Sequence, residues 1–335
     1  VFSRLVRATA PLPDETPPTF AAAVRAAGIT EKRLIEVALF APQWSDHVEA
    51  AIDWPGFAGA ARWILAHSRG TQEGDPEIVE LWRAEIAEDT PLTPMELHDG
   101  AVDVAWFRTA YTQLGPGRWE QVYRAAKYAT DGGGYKRSQL FADAMLGRLA
   151  EEDLIGRIKE KRNGDAVRAL GLVPLDPNRR EAQLQARYEV IREFQRTSKQ
   201  FGAQRQESEK LAATIGLDNL ARTAGYPDPQ RLQWAMEAQA VADLAAGPIR
   251  VTVDTVTVEL AIDPWGAPQV SVSKNSKRLR SIPAGVKKDE SVAALQERKA
   301  ALERQTSRMR ASMEEAMVRG DEFTGAELRG LFRHP

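Results

Sequence analysis

The chain has 335 residues, 43% of them hydrophobic and 27% charged, which suits two or three modest soluble domains. No apolar run approaches the roughly 20 residues of a membrane-spanning helix, and 45 basic against 47 acidic residues leave a net charge of −2, so attraction to nucleic acid or anionic lipid must be local. With no cysteine, a disulfide framework and thiolate metal sites are excluded, and a reducing, cytoplasmic location is expected.

The opening VFSRLVRATAPLPDETPPTF lacks the ordered regions of a signal peptide, and Val1 reads as a cut end of something longer. Helix starts then follow one another. Thr30 stands as a cap before EKRLIEVALF, Asp75-Pro76 pairs a cap with proline, and Thr93-Pro94-Met95-Glu96 combines hydroxyl cap, proline and returning glutamate. Apolar residues recur at three and four, as in Leu34, Val37, Ala38 and Phe40, or Trp119, Val122, Tyr123 and Ala126. Residues 1–176 therefore read as an array of irregular, solenoid-like helical hairpins.

Residues 177–335 read as a long-helix region. Leu184, Tyr188, Ile191, Phe194, Phe201, Leu211 and Ile215 extend one spacing without proline, predicting a single long helix that packs closely or bends near Ser198 and Gly202. A second, Ser291 to about Arg319, is its expected antiparallel partner. Between them, residues 249–273 alternate apolar and polar around a Pro-Trp-Gly turn, the pattern of a β-hairpin or small meander that needs a helix or another sheet beneath it. Asp228-Pro229 and Thr324 to Glu327 supply further helix starts. The expected fold class is mainly α with a small inserted β element.

Two stretches are candidate binding sites. In DGGGYKRS, residues Gly132, Gly133, Gly134, Lys136, Arg137 and Ser138 evoke a phosphate loop, but the spacing of a nucleotide-binding loop and its preceding strand are missing. What remains is either a corner whose glycines take positive φ, or free N–H groups at a helix start holding an anion. In the second stretch, Lys274, Lys277, Arg278, Arg280, Lys287 and Lys288 are uninterrupted by acid. They suit a phosphate backbone or an acidic partner, with Trp265 as a stacking residue, or simply a solvated, lysine-protected edge strand.

Catalytic patterns are thin. His47, His67, His98 and His334 lie in four separate segments, and no pair has the spacing of a helical zinc site. His98-Asp99 with Asp103 is the nearest approach to a proton-transfer pair, and it reads equally as a polar helix start. Trp44, Trp54, Trp63 and Trp234 read as packing between helices.

The runs beginning ITEKRLIEVALF (29–68), DGAVDVAWFRTAY (99–147) and FGAQRQESEKLAA (201–238) resemble a bacterial family of large molybdate-metabolism-regulator-like (MolR-like) proteins, which carry domains of unknown function, sometimes beside a WGR domain. That resemblance implies helical repeats, adds weak support for nucleic-acid contact, and transfers no functional residue. Trp265-Gly266 is followed by Ala267 instead of arginine, so nothing of the WGR domain is carried over. The expected function is a non-catalytic interaction scaffold without cofactor or metal. Its partner is another protein or the rest of its own polypeptide. The alternatives are a nucleic-acid-associated regulator using the 274–288 segment, or part of an enzyme completed by a further domain.

Overall fold

The computed structural model describes residue 6 and residues 8–68, 76–129 and 132–325. The chain is mainly helical, with one small antiparallel sheet, and divides into two compact units, Val1–Pro227 and Asp228–Pro335. This division lies beyond residue 176, because the helices that follow that point fold back onto those before it.

In the first unit the chain runs through α1 (Pro17–Ala26), α2 (Glu31–Phe40), α3 (Ser45–Ile52), α4 (Phe57–Ser68), α5 (Pro76–Asp89), α6 (Pro94–Asp99), α7 (Val104–Leu114) and α8 (Pro116–Ala126). It continues with α9 (Gly132–Met145), α10 (Glu151–Lys161), α11 (Gly164–Leu170), α12 (Arg180–Thr197) and α13 (Ala203–Ala224). α4, FAGAARWILAHS, is apolar on every side, and all its residues except Gly59 and Arg62 are buried, as expected of a helix enclosed by others. Helices α2, α3 and α5 to α9 all pack on it. Its Trp63 ring lies 4.9 Å from that of Phe107 and 5.8 Å from that of Trp119, so Trp63 is a core residue.

The cap signals hold unevenly. Thr93 and Glu96 form the reciprocal capping box of α6, and Asp103 caps α7 by accepting from the N–H groups of Ala105 and Trp106. Thr30 occupies the cap position of α2 but makes no side-chain cap bond. Asp75 and Glu327 lie outside the described residues.

The expected single helix through residue 215 is corrected to a hairpin. A 3-10 turn at Ser198–Gln200 and extended backbone at Phe201 (ψ 170°) and Gly202 (ψ 160°) separate α12 from α13. The two run antiparallel: Arg180 at the start of α12 donates to the Ala224 carbonyl at the end of α13. The uninterrupted spacing arises because both arms bury one apolar face, so the turn between them leaves no mark on the period. α13 also packs on α11, where a Cβ on Gly171 would stand 2.5 Å from the Gly216 carbonyl oxygen.

The second unit contains α14 (Pro229–Ala240), α15 (Ala242–Ala245), strands β1 (Ile249–Val253), β2 (Val256–Ile262), β3 (Pro268–Lys274) and β4 (Lys277–Arg278), then α16 (Ala284–Lys287) and α17 (Glu290–Arg319). The expected hairpin is thus a four-stranded meander in the order β1-β2-β3-β4. Alternation sends Val256, Val258, Leu260 and Val272 to one face, where they form a core with Val292, Leu295 and Leu302 of α17. Arg250, Thr252, Thr257 and Glu259 share the other face. α17 is therefore the support that the strands required.

At Gly134, in the first turn of α9, a Cβ would stand 1.9 Å from the Ser68 carbonyl oxygen, whereas Gly156, inside α10, has nothing within 4 Å of that position. Gly134→Ala is expected to lose about 2 kcal/mol or more of stability through forced backbone displacement. Gly156→Ala should gain about 0.5–1 kcal/mol from reduced chain entropy. Urea unfolding midpoints of the two variants check both signs.

Candidate functional site

The glycine stretch begins a helix. α9 starts at Gly132, and Gly134 has no positive φ, which corrects the expected positive-φ corner: the glycine serves a close approach of α9 to the end of α4. Arg137 reaches across the same junction. Its Nε donates to the His67 carbonyl at 3.2 Å and its Nη1 to the His98 carbonyl at 3.0 Å, so one guanidinium satisfies carbonyls near the ends of both α4 and α6. Ser138 is buried and donates its hydroxyl to the Tyr135 carbonyl at 3.0 Å. Lys136 is exposed. Within DGGGYKRS, then, Gly134, Arg137 and Ser138 are engaged with the protein's own backbone.

The basic stretch lies in the second unit. Lys274 stands opposite Lys277, and Ser273 opposite Arg278, across the two-residue turn Asn275-Ser276, whose φ values are 47° and 65°, the geometry of a type I′ hairpin. Because side chains alternate, Lys274 and Lys277 share the face of Val272 and Leu279, which α17 covers, while Arg278 lies on the opposite face. Lys287 ends α16, whose Val286 packs against the same core, and Lys288 follows it. All six cations, including Arg280, are exposed, and none forms an ion pair among the described residues.

Trp265 is 86% exposed, but it sits in the β2–β3 turn, at the opposite end of β3 from Lys274. A seven-residue strand spans roughly 20 Å, so the structure does not bring the indole beside Lys274 and Lys277. The turn is held by Asp263, whose Oδ1 accepts from the N–H groups of Trp265 and Ala267. The Ala267 bond foremost keeps that carboxyl below its ordinary range.

Of the histidines, His67 serves packing. His67 is fully buried, with Nδ1 2.9 Å from the Trp63 carbonyl and Nε2 3.2 Å from that of Ala101. Burial lowers its pKa to about 4. His47 contacts the Glu15 carbonyl at 2.8 Å, and His334 lies outside the described residues. Asp103, considered as a partner for His98, is instead the α7 cap and accepts the Thr90 hydroxyl at 2.8 Å. Among the described residues, no group of three or more His, Asp or Glu side chains is arranged to hold a metal ion.

The sequence left unmarked three charged clusters of the first unit. Arg162, at φ 48°, makes two bonds to Glu209, one to the Thr197 hydroxyl and one to the Phe194 carbonyl, beneath the Phe194 and Phe201 rings. The Arg162 bonds, with help from Arg205, lower the Glu209 pKa to about 2, so the pair's stabilisation is present above the ordinary carboxylate range and lost as pH falls toward 2. Arg187, fully buried, donates to Glu151 at 2.8 Å and to the Val173 and Pro174 carbonyls. Arg62 joins Asp46 and Asp89 at 3.1 and 2.6 Å. Only the bulk of arginine in helical segments hinted at these, since an acceptor far away in the chain leaves no local pattern.

Helices held by internal charge and a sheet rimmed by external charge define a mainly α, two-unit chain in which no helix among the described residues is long and apolar enough to cross a membrane. Residues 1–236 match the "Family of unknown function (DUF5724)", and the chain belongs to that family; residues 276–335 match the "Domain of unknown function (DUF4132)". No curated protein and no solved structure matches the chain.

Near Arg62, burial raises the Glu85 pKa to about 7, against Arg62 and with help from Asp46, Glu88 and Asp89. A raised carboxyl pKa means the fold holds a proton that the unfolded chain releases, so stability falls as pH rises from the ordinary carboxylate value toward 7. Glu85→Gln should therefore raise stability by about 1 kcal/mol at pH 8, after allowance for solvent screening, and leave it nearly unchanged at pH 4. Thermal melts at the two pH values check this.

Proposed function

We propose that the chain is a non-catalytic helical interaction scaffold whose second unit offers a cationic contact surface to an anionic partner. The observation that carries this reading is the set Lys274, Lys277, Arg278, Arg280, Lys287 and Lys288, all exposed and without ion pairs among the described residues. In the same unit Arg298 is paired with Asp243, Lys299 with Glu303 and Arg308 with Glu237, while Arg304 and Arg310 of α17 are exposed and, like the six, without ion pairs among the described residues. Like charges directly opposite on a ladder, as Lys274 and Lys277 are, cost about 0.2–1 kcal/mol, and an anionic partner relieves that cost.

The engagement of Arg137 and Ser138 with backbone carbonyls supports this reading over an enzyme that holds an anionic substrate at the glycine stretch. The partner is an acidic surface of another protein or of a longer polypeptide, or a nucleic acid.

The test compares retention of the full chain and of its Lys277→Glu, Arg278→Glu, Arg280→Glu variant on immobilised heparin and polyglutamate. The native chain is expected to elute at distinctly higher salt than the variant, with cooperative thermal unfolding of each confirming that both are folded. Coincident elution would rule the surface out as an anion contact.

A further inference from the structure

The six cations are not gathered on one plane. Register sets Lys274 and Lys277 on the helix-covered face of the sheet and Arg278 on the open face, and Lys287 and Lys288 close the helix-covered side. β4 is the last strand of the sheet, so positive charge wraps around an edge from both sides. Residues 264–288 contain no Asp or Glu. The acids that flank this stretch are Asp263, engaged in the β2–β3 turn, and Asp289, engaged as the cap of α17; Asp254 lies in the turn whose following residue, Thr255, accepts the Asn275 N–H.

A flat acidic protein surface meets such an edge on one side only. A duplex presents two lines of phosphates across a groove, so cations on both sides of an edge strand can each meet one line. Aromatic groups for base stacking are not part of the cluster, since Trp265 lies at the far end of β3. Single-stranded recognition leans on such stacking, whereas duplex backbone contact needs only cations. Resting on the reading of this surface as an anion contact, we infer that the β4 edge binds the phosphate backbone of a double-stranded nucleic acid, with phosphates contacted from both faces of the sheet and without sequence preference.

The experiment measures binding of the full chain to a mixed-sequence DNA duplex, an RNA duplex of equal length, the single DNA strand and polyglutamate, each across a salt series. The charge-neutral variants Lys274→Gln with Lys277→Gln, for one face, and Arg278→Gln, for the other, are run beside it, with thermal midpoints confirming the fold. The inference expects duplex preferred over single strand and polyglutamate, and a log–log salt slope lowered by about 0.9 for each phosphate that is no longer neutralised, in the variants of both faces. The two duplex arms identify which nucleic acid carries the preferred backbone. If only one face matters, or polyglutamate binds as tightly as either duplex, the duplex assignment is overturned in favour of an acidic protein partner while the scaffold reading stands. If no polyanion binds even at low salt, both fall.

Discussion

Every short helix ends in carbonyl oxygens that its own backbone cannot satisfy, and a domain of many short helices must find donors for them. In the first unit, guanidinium groups from distant segments supply several. Arg137 serves His67 and His98, Arg162 serves Phe194 and Arg180 serves Ala224, while Arg187 does the same for the loop carbonyls of Val173 and Pro174. The buried Asn219 amide works in the same way, donating to the Gly100 and Arg168 carbonyls while accepting from the Val102 N–H at 3.0 Å. Each bond joins segments far apart in the chain, so the same groups that complete the helix ends also fix how helices meet. Buried charge is retained only where it is paired and hydrogen-bonded, and Arg162 with Glu209 meets that condition through four hydrogen bonds to three residues.

This division of labour bears on function. In the first unit several charged groups, Arg62, Arg137, Arg162 and Arg187 among them, are turned inward against carbonyls and carboxylates and contribute to cohesion. In the second unit the cations of β3, β4 and α16 face solvent without ion pairs among the described residues, on a sheet whose apolar side is held by Val292, Leu295 and Leu302. Removing charge from the first kind of residue leaves buried acceptors unsatisfied. Removing it from the second alters what the surface attracts and, at the Lys274–Lys277 pair, relieves a like-charge repulsion.

Much of the fold was legible where the physics is local. The Thr93 capping box, the Asp228 cap and the apolar spacing of α2, α7 and α8 follow from neighbouring residues alone, as does the alternation in β2 and β3. What was hidden depends on distant contacts. The break at Ser198–Gly202 falls inside a continuous apolar spacing, β4 is too short to show a period, and Gly134 reads as a turn signal until the Ser68 carbonyl appears beside it. At the candidate sites, the exposed cations were visible as a run of letters, but their partition between two faces required the register, and the inward use of Arg137 required the ends of α4 and α6.

Arg137 is where the two roles of charge are most easily confused, because it belongs to the glycine-rich stretch that resembles an anion site. The most direct measurement is therefore Arg137→Gln, followed by thermal unfolding and by heparin binding across a salt series on the same preparation. A structural guanidinium predicts a lower melting temperature with an unchanged salt slope. An unchanged melting temperature with a reduced slope would contradict the account and return anion binding to the first unit.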